Sequence, residues 1–192
     1  MNITRQRSTK ETTIAVELNV HGTQQVTIDT GLPFFNHMLE QLGTHAGWNL
    51  KIVASGDIKV DDHHLIEDVA LCLGDALQEA WRTRQRIQRY GQRALPMDEV
   101  LVLCALDLSG RPYCKCDLPF TREYVGHLNT EMWSHFFHSL AMAGAFTLHI
   151  QTLATGNNHH LVEASFKALA YALSEALQPK DREVSTKGVL KG

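Results

Sequence analysis

The sequence predicts an α+β fold built by tandem duplication of a half-length unit, and three observations predict it. Residues 34–80 and 132–177 align as two copies of one segment. In that alignment His37 matches His135, Gly56 matches Gly156 across loops of unequal length, and His63-His64-x-x-Glu67 matches His159-His160-x-x-Glu163. The segments ahead of the copies agree as well: ELNVHG ending at Gly22 and ALDLSG ending at Gly110 both read as an alternating strand running into a turn glycine. Strands precede helices within each copy, so helices should cover one face of each sheet and the two halves should bury those helices against each other.

Each half is expected to run strands, a helix carrying His37 or His135, a strand (NLKIVASG or FTLHIQTLATG), and a longer helix starting at the double histidine. The long helices have helical apolar spacing, with Ile66, Val69, Leu73, Leu77 and Ala80 in one and Leu161, Ala164, Ala168, Ala172 and Ala176 in the other. Alanine at every fourth position makes the second helix slim enough to approach a neighbour closely. Asp61 or Asp62, and Asn157 or Asn158, stand where an N-cap belongs, which puts the histidines on a capped first turn. The whole of 1–192 is read as one unit of two halves, about 1–87 and 88–180, with a tail at 181–192. The basic stretch RTRQRIQRYGQRALPMD is expected to be the loop that joins the halves.

Composition bounds the function. A chain of 192 residues, 44% of them hydrophobic, can build a core. The net charge of -3 comes from interspersed acids and bases, which argues against a surface devoted to nucleic acid or an anionic membrane. The N-terminal MNITRQRSTKETT has no apolar core, and no run approaches the ~20 apolar residues of a membrane span, so a cytoplasmic protein is expected. Cys72, Cys104, Cys114 and Cys116 lack the CxxC spacing of zinc or redox motifs and are read as reduced structural thiols.

Eleven histidines are the unusual feature. Residues one, three and four apart share one side of a helix's first turn, so His63, His64 and Glu67 project together, as do His159, His160 and Glu163. Adjacent histidines still diverge by about 100°, which suits two ions or two different shells better than one ion. Imidazole and carboxylate without thiolate suit manganese, iron, zinc or nickel, and a mixed nitrogen and oxygen set leans toward octahedral manganese or iron. With His37 and His135 the two motifs supply eight ligands, enough for two sites of four. A single HHxxE could be no more than polar residues at a helix start, but two copies with a matching upstream histidine point to metal. No HExxH is present, so a zincin protease is not supported.

The segments ETTIAVELNVHG, TGLPFFNHMLEQLGTH, GD…DDHHLIEDVALCLGDAL, RYG..LPMDE, DLSGRPY, TGNNHHLVEASFKALAYAL and STKGVL together resemble imidazoleglycerol-phosphate dehydratase over nearly the whole chain. The resemblance is to the monofunctional form, since a chain of this length has no room for the phosphatase domain fused to the enzyme in some bacteria. It implies a fold with four helices between two four-stranded sheets, of the ribosomal protein S5 domain 2-like kind. It also implies a homo-24-mer with active sites between subunits and two Mn2+ per active site. The metal ligands it implies are His37, His63, His64, Glu67, His135, His159, His160 and Glu163.

The reaction so implied removes water from imidazoleglycerol phosphate through a metal-bound imidazolate and a diazafulvene-like intermediate. Glu163 or Glu11 is the candidate general base, the other assisting, and their roles are not separable at this level. For the substrate and its phosphate the resemblance implies Glu11, His45, Arg89, Arg111, Lys167, and Ser185, Thr186 and Lys187 of the tail. Arginine's fork suits phosphate, and lysine adds a mobile charge.

Two other readings remain open for the residues alone. A non-catalytic metal-binding assembly would keep the ligands but not need the basic residues. A binuclear hydrolase of phosphoesters would use similar ions, usually with more aspartate.

Overall fold

A computed structural model describes residues 2–83 and 86–181. Strands β1 (Ile3–Ser8), β2 (Thr12–Asn19), β3 (Val26–Asp29) and β4 (Asn49–Gly56) form one sheet in the order β1-β2-β4-β3, with α1 (Pro33–Ala46) crossing between the parallel pair β3 and β4. Helix α2 (His63–Arg82) follows. The second half repeats the plan. Strands β5 (Tyr90–Met97), β6 (Val100–Asp107), β7 (Tyr113–Asp117) and β10 (Thr147–Ala154) take the order β5-β6-β10-β7, with β7 and β10 parallel. A small hairpin, β8 (Tyr124–Val125) and β9 (Leu128–Asn129), leads into α3 (Glu131–Gly144), and α4 (Asn158–Ala176) closes the order. The α+β class and the two helix-backed four-stranded sheets are as the sequence indicates.

Period-two alternation decides which face of each sheet is buried. Ile14, Val16 and Leu18 of β2, with Leu50, Ile52 and Ala54 of β4, face inward; Val100, Val102, Cys104 and Leu106 of β6, with Leu148 and Ile150 of β10, do the same in the second sheet. The helices fill the space between the sheets. α2 lies on β1 and β2, α4 on β5 and β6, and the halves meet through α2 against α3 and α1 against α4. The Trp81 indole N–H donates to the Gly144 carbonyl at 2.9 Å, tying α2 to the end of α3. Phe35 of α1, Trp133, Phe136 and Phe137 of α3 and Phe166 of α4 make an aromatic knot that joins these three helices, each side chain fully buried. Burying a side chain of this kind contributes about 1.5–3 kcal/mol.

The slim face of α4 is used as its alanines suggest. A Cβ placed on Gly91 of β5 would overlap the Ala172 carbonyl of α4, so only glycine lets strand and helix approach this closely.

Two departures concern the stretch between the halves and the N-terminus. The second part of the expected linking loop, Tyr90–Met97, is strand β5, an edge strand that pairs with β6 on one side only. Its YGQRALPM lacks apolar alternation because much of it remains exposed. The polar N-terminal segment is likewise an edge strand, β1, which needs few apolar residues for the same reason. The hairpin β8–β9 was not anticipated; its two-residue strands are too short to show a period.

Burial accounts for the cysteines. It pushes the Cys72 and Cys114 thiols up to about 11 and Cys116 up to about 12, which keeps them protonated and inert as ligands.

Candidate metal centre

Both HHxxE motifs stand on the first turn of a helix, His63 opening α2 and His159 lying one residue into α4. Asn157 caps α4, its side chain accepting the His159 backbone N–H at 2.8 Å. In the first copy Asp62 is the cap position but makes no side-chain cap bond, and Asp61 instead accepts the His63 N–H at 3.0 Å. The sequence allows either aspartate; Asp61 does the capping, while the Asp62 side chain accepts the Asn129 N–H at 3.1 Å.

Each motif is joined by a histidine from the other half. His37 of α1 comes to α4, and the ligand atoms of His37, His159 and Glu163 all lie within 4.8 Å of one another; His135 of α3 comes to α2 and forms the same kind of group with His63 and Glu67. In the second-half group, one carboxylate oxygen gathers both rings: Glu163 Oε2 lies 3.1 Å from His37 Nε2 and 3.0 Å from His159 Nε2. In the first-half group the carboxylate divides, Glu67 Oε2 lying 3.7 Å from His63 Nε2 and Oε1 3.5 Å from His135 Nε2.

The second histidine of each pair goes elsewhere. The rings of His63 and His64 are nearly perpendicular with centroids 6.0 Å apart, and those of His159 and His160 likewise at 6.1 Å. His64 joins Glu11 and Asp57, and His160 joins Asp98 and Glu99. Thus the expected two sites of four are, within one chain, two groups of three plus two outlying histidines. The divergence of neighbouring side chains on a helix is the cause.

The groups of three suit a cation. Four imidazoles and two carboxylates supply only nitrogen and oxygen, as manganese or iron prefers. His135 Nε2 is buried and finds no hydrogen-bond partner among the described residues, as a nitrogen meant for a metal would. The groups differ electrostatically. Lys167, one turn after Glu163, puts its Nζ 2.6 Å from Glu163 Oε1. Burial raises the Glu163 pKa, but hydrogen bonds from Lys167, His37 and His159 outweigh it, and the carboxyl is held below its usual range. Glu67 has Leu71 at the corresponding place and is the more exposed of the two, with 36% of its side chain accessible against 8% for Glu163.

The basic residues named in the sequence fall into three places. Lys167 is at Glu163. His45, at the end of α1, has its Nδ1 3.1 Å from the Tyr171 hydroxyl; burial first and Lys167 second lower its pKa. Arg89 and Arg111 converge on Asp107. Arg89 forms a two-pronged bond to it at 2.6 and 3.0 Å, and Arg111 stands 3.6 Å away with 70% of its side chain exposed. Arg89 is 7% exposed and has a positive φ of 69°, a strained backbone for a non-glycine residue. Ser185, Thr186 and Lys187 lie outside the described residues. Glu11 is at the β1–β2 turn, its Oε2 3.7 Å from His64 Nδ1 and its side chain 54% exposed.

Sequence reasoning did not single out Asp57, Asp107 or Glu99. Glu99 had a visible signal: it stands as far before Gly110 as Glu11 does before Gly22, in the same duplicated strand. Asp57 and Asp107 had none beyond their neighbours.

The fold recurs in known proteins. A family model described as imidazoleglycerol-phosphate dehydratase matches residues 30–173. An imidazoleglycerol-phosphate dehydratase of Cereibacter sphaeroides is 44% identical over 188 residues, covering 96% of each chain. A histidine biosynthesis bifunctional protein HisB of Legionella pneumophila is 49% identical over 186 residues, covering 96% of this chain and 52% of that one, so the chain spans about half the length of such relatives. The crystal structure of imidazoleglycerol-phosphate dehydratase from Staphylococcus aureus superposes with a TM-score of 0.86 at 35% identity, over 94% of this chain and all of that one. A model matching most of the chain, full-length relatives and a matching fold together place this chain in the imidazoleglycerol-phosphate dehydratase family.

Proposed function

We propose that this chain is a hydro-lyase of histidine biosynthesis. It converts D-erythro-1-(imidazol-4-yl)glycerol 3-phosphate to 3-(imidazol-4-yl)-2-oxopropyl phosphate, in the cytoplasm, as a homo-24-mer with two Mn2+ per active site. The observation that carries the reading is the pair of His-His-Glu groups, each assembled from both halves of the chain. Family membership supports the reaction, and among the described residues no helix is long and apolar enough to cross a membrane.

His37, His159 and Glu163 would hold one ion, and His63, Glu67 and His135 the other. When bound, the ions supply Lewis acidity at the imidazole nitrogens of the substrate. His64 and His160 lie in separate groups, so they are free to complete the sites of neighbouring copies, which makes self-association part of the active site.

Proton transfer falls to a carboxylate with room to move. Glu163 is engaged by Lys167, His37 and His159, whereas Glu11 is half exposed with His64 3.7 Å away. Glu11 is therefore the better proton carrier and Glu163 the better ligand. Two arginines on one aspartate leave a net positive charge at Asp107, which suits a phosphate monoester.

The test is turnover of the imidazole substrate by protein reloaded with Mn2+. Appearance of the oxopropyl phosphate without inorganic phosphate supports the reading. Release of inorganic phosphate favours a hydrolase, and binding of metal with no conversion favours a storage assembly.

A further inference from the structure

We propose that Glu99 and Asp57 are positioning carboxylates: each holds the second histidine of an HHxxE pair by its Nδ1 edge, leaving Nε2 as the nitrogen offered to an ion. The proposal rests on the two-ion reading above.

His160 Nδ1 lies 3.3 and 3.2 Å from the two oxygens of Glu99, and His64 Nδ1 lies 3.0 Å from Asp57 Oδ2. A carboxylate that accepts the Nδ1 proton fixes the tautomer with a bare Nε2 and holds the ring's direction. The other four histidines already turn Nε2 toward the carboxylates of their groups. All six would then present the same nitrogen.

Glu99 is itself held in place. Its Oε1 accepts the Asn157 backbone N–H at 2.6 Å, and its side chain lies over Gly156, where a Cβ would overlap it. Asn157 in turn caps the helix by accepting the His159 N–H. One carboxylate thereby fastens the β5–β6 turn to the start of α4 and to His160.

The duplication shows the same task carried by a different residue in the first half. Glu11 is the counterpart of Glu99 in the hairpin, and Asp57 is the counterpart of Asn157, each following the loop glycine. In the first half the Asp57 N–H goes to the backbone carbonyl of Glu11 at 3.1 Å, and the Asp57 carboxylate takes His64. An asparagine cannot supply a charged acceptor, so the second half keeps the glutamate in that task. An aspartate can, so in the first half the Glu11 carboxylate is released, 3.7 Å from His64, for other work.

The experiment titrates metal-free, full-length protein with Mn2+ alone, following binding by calorimetry and by the electron paramagnetic resonance of free Mn2+. Wild type should bind two ions per chain. In Glu99→Gln the amide still accepts the Asn157 N–H but offers its own N–H to Nδ1, which drives the ring proton to Nε2. One ion should then bind about 10–100-fold more weakly and the other within about twofold of wild type. Asp57→Asn should do the same for one ion, and the double variant should weaken both. The melting temperature of metal-free Glu99→Gln should match wild type, because the cap contact is retained.

Wild-type affinity for both ions in Glu99→Gln and Asp57→Asn overturns the proposal. So does equal weakening of both ions by Glu99→Gln together with a lowered metal-free melting temperature, which would mark a purely structural role. A wild type that takes up no Mn2+ fails the two-ion reading and this proposal with it, whereas two ions in wild type with unaltered variants sinks this proposal alone.

Discussion

His37 and Glu163 stand 126 positions apart in the chain, yet the Nε2 of one is 3.1 Å from the Oε2 of the other. His37 belongs to the first half and Glu163 to the second, so each His-His-Glu group exists only because the halves pack with α1 on α4 and α2 on α3.

That crossing makes the two upstream histidines separable. His37→Ala should weaken the ion held with His159 and Glu163 and spare the other, and His135→Ala should do the reverse. Losing a ligand should cost more than the 10–100-fold typical of losing a residue that only orients one. Metal content after dialysis checks it: each variant should retain one ion per chain where wild type retains two.

Glu11 and Glu163 should fail in different ways. Glu11→Gln should keep both ions and lose about 10²–10⁴-fold in kcat, as expected for removal of a proton-transfer group. Glu163→Gln should keep its assembly but lose turnover together with affinity for one ion. Steady-state kinetics paired with metal content distinguish the two, and normal turnover in Glu163→Gln would remove that residue from the machinery.

Around Asp107 the two arginines should separate stability from binding. Arg111 is 70% exposed, so Arg111→Ala should change stability by only about 0.5 kcal/mol. The same variant should raise KM about tenfold or more, since a hydrogen bond to a charged group contributes about 1.5–3 kcal/mol. Asp107→Ala strands the nearly buried Arg89, and breaking such a pair costs roughly 3–5 kcal/mol. Denaturant unfolding and substrate titration of both variants check this.

Gly91→Ala should destabilise by about 1–3 kcal/mol or more, because the new methyl meets the Ala172 carbonyl across a backbone approach that cannot relax. A lower urea midpoint with an unchanged slope is the expected result.

Much of this was legible in the sequence because duplication writes the signal twice. The helices, the inward faces of β2, β4, β6 and β10, the first-turn position of the histidines and their divergence all follow from local periodicity. The partners of His37 and His135 do not. Aligning the copies sets these two histidines in equivalent places and is silent on whether each serves its own half, which only the packing of α1 on α4 and α2 on α3 decides. Strand β5 was hidden because an edge strand can be basic and largely exposed. The task of Glu99 could have been found by carrying the strand alignment back from Gly110, whereas that of Asp57 depends on a side chain reaching His64 seven residues on.

The most direct test of the central claim is an anomalous-scattering map of crystals grown with Mn2+. The account predicts two peaks per chain, one at His37, His159 and Glu163 and one at His63, Glu67 and His135, each completed by His64 or His160 of a neighbouring copy. Peaks absent from both groups, or ions held by one chain with no second copy nearby, would contradict it.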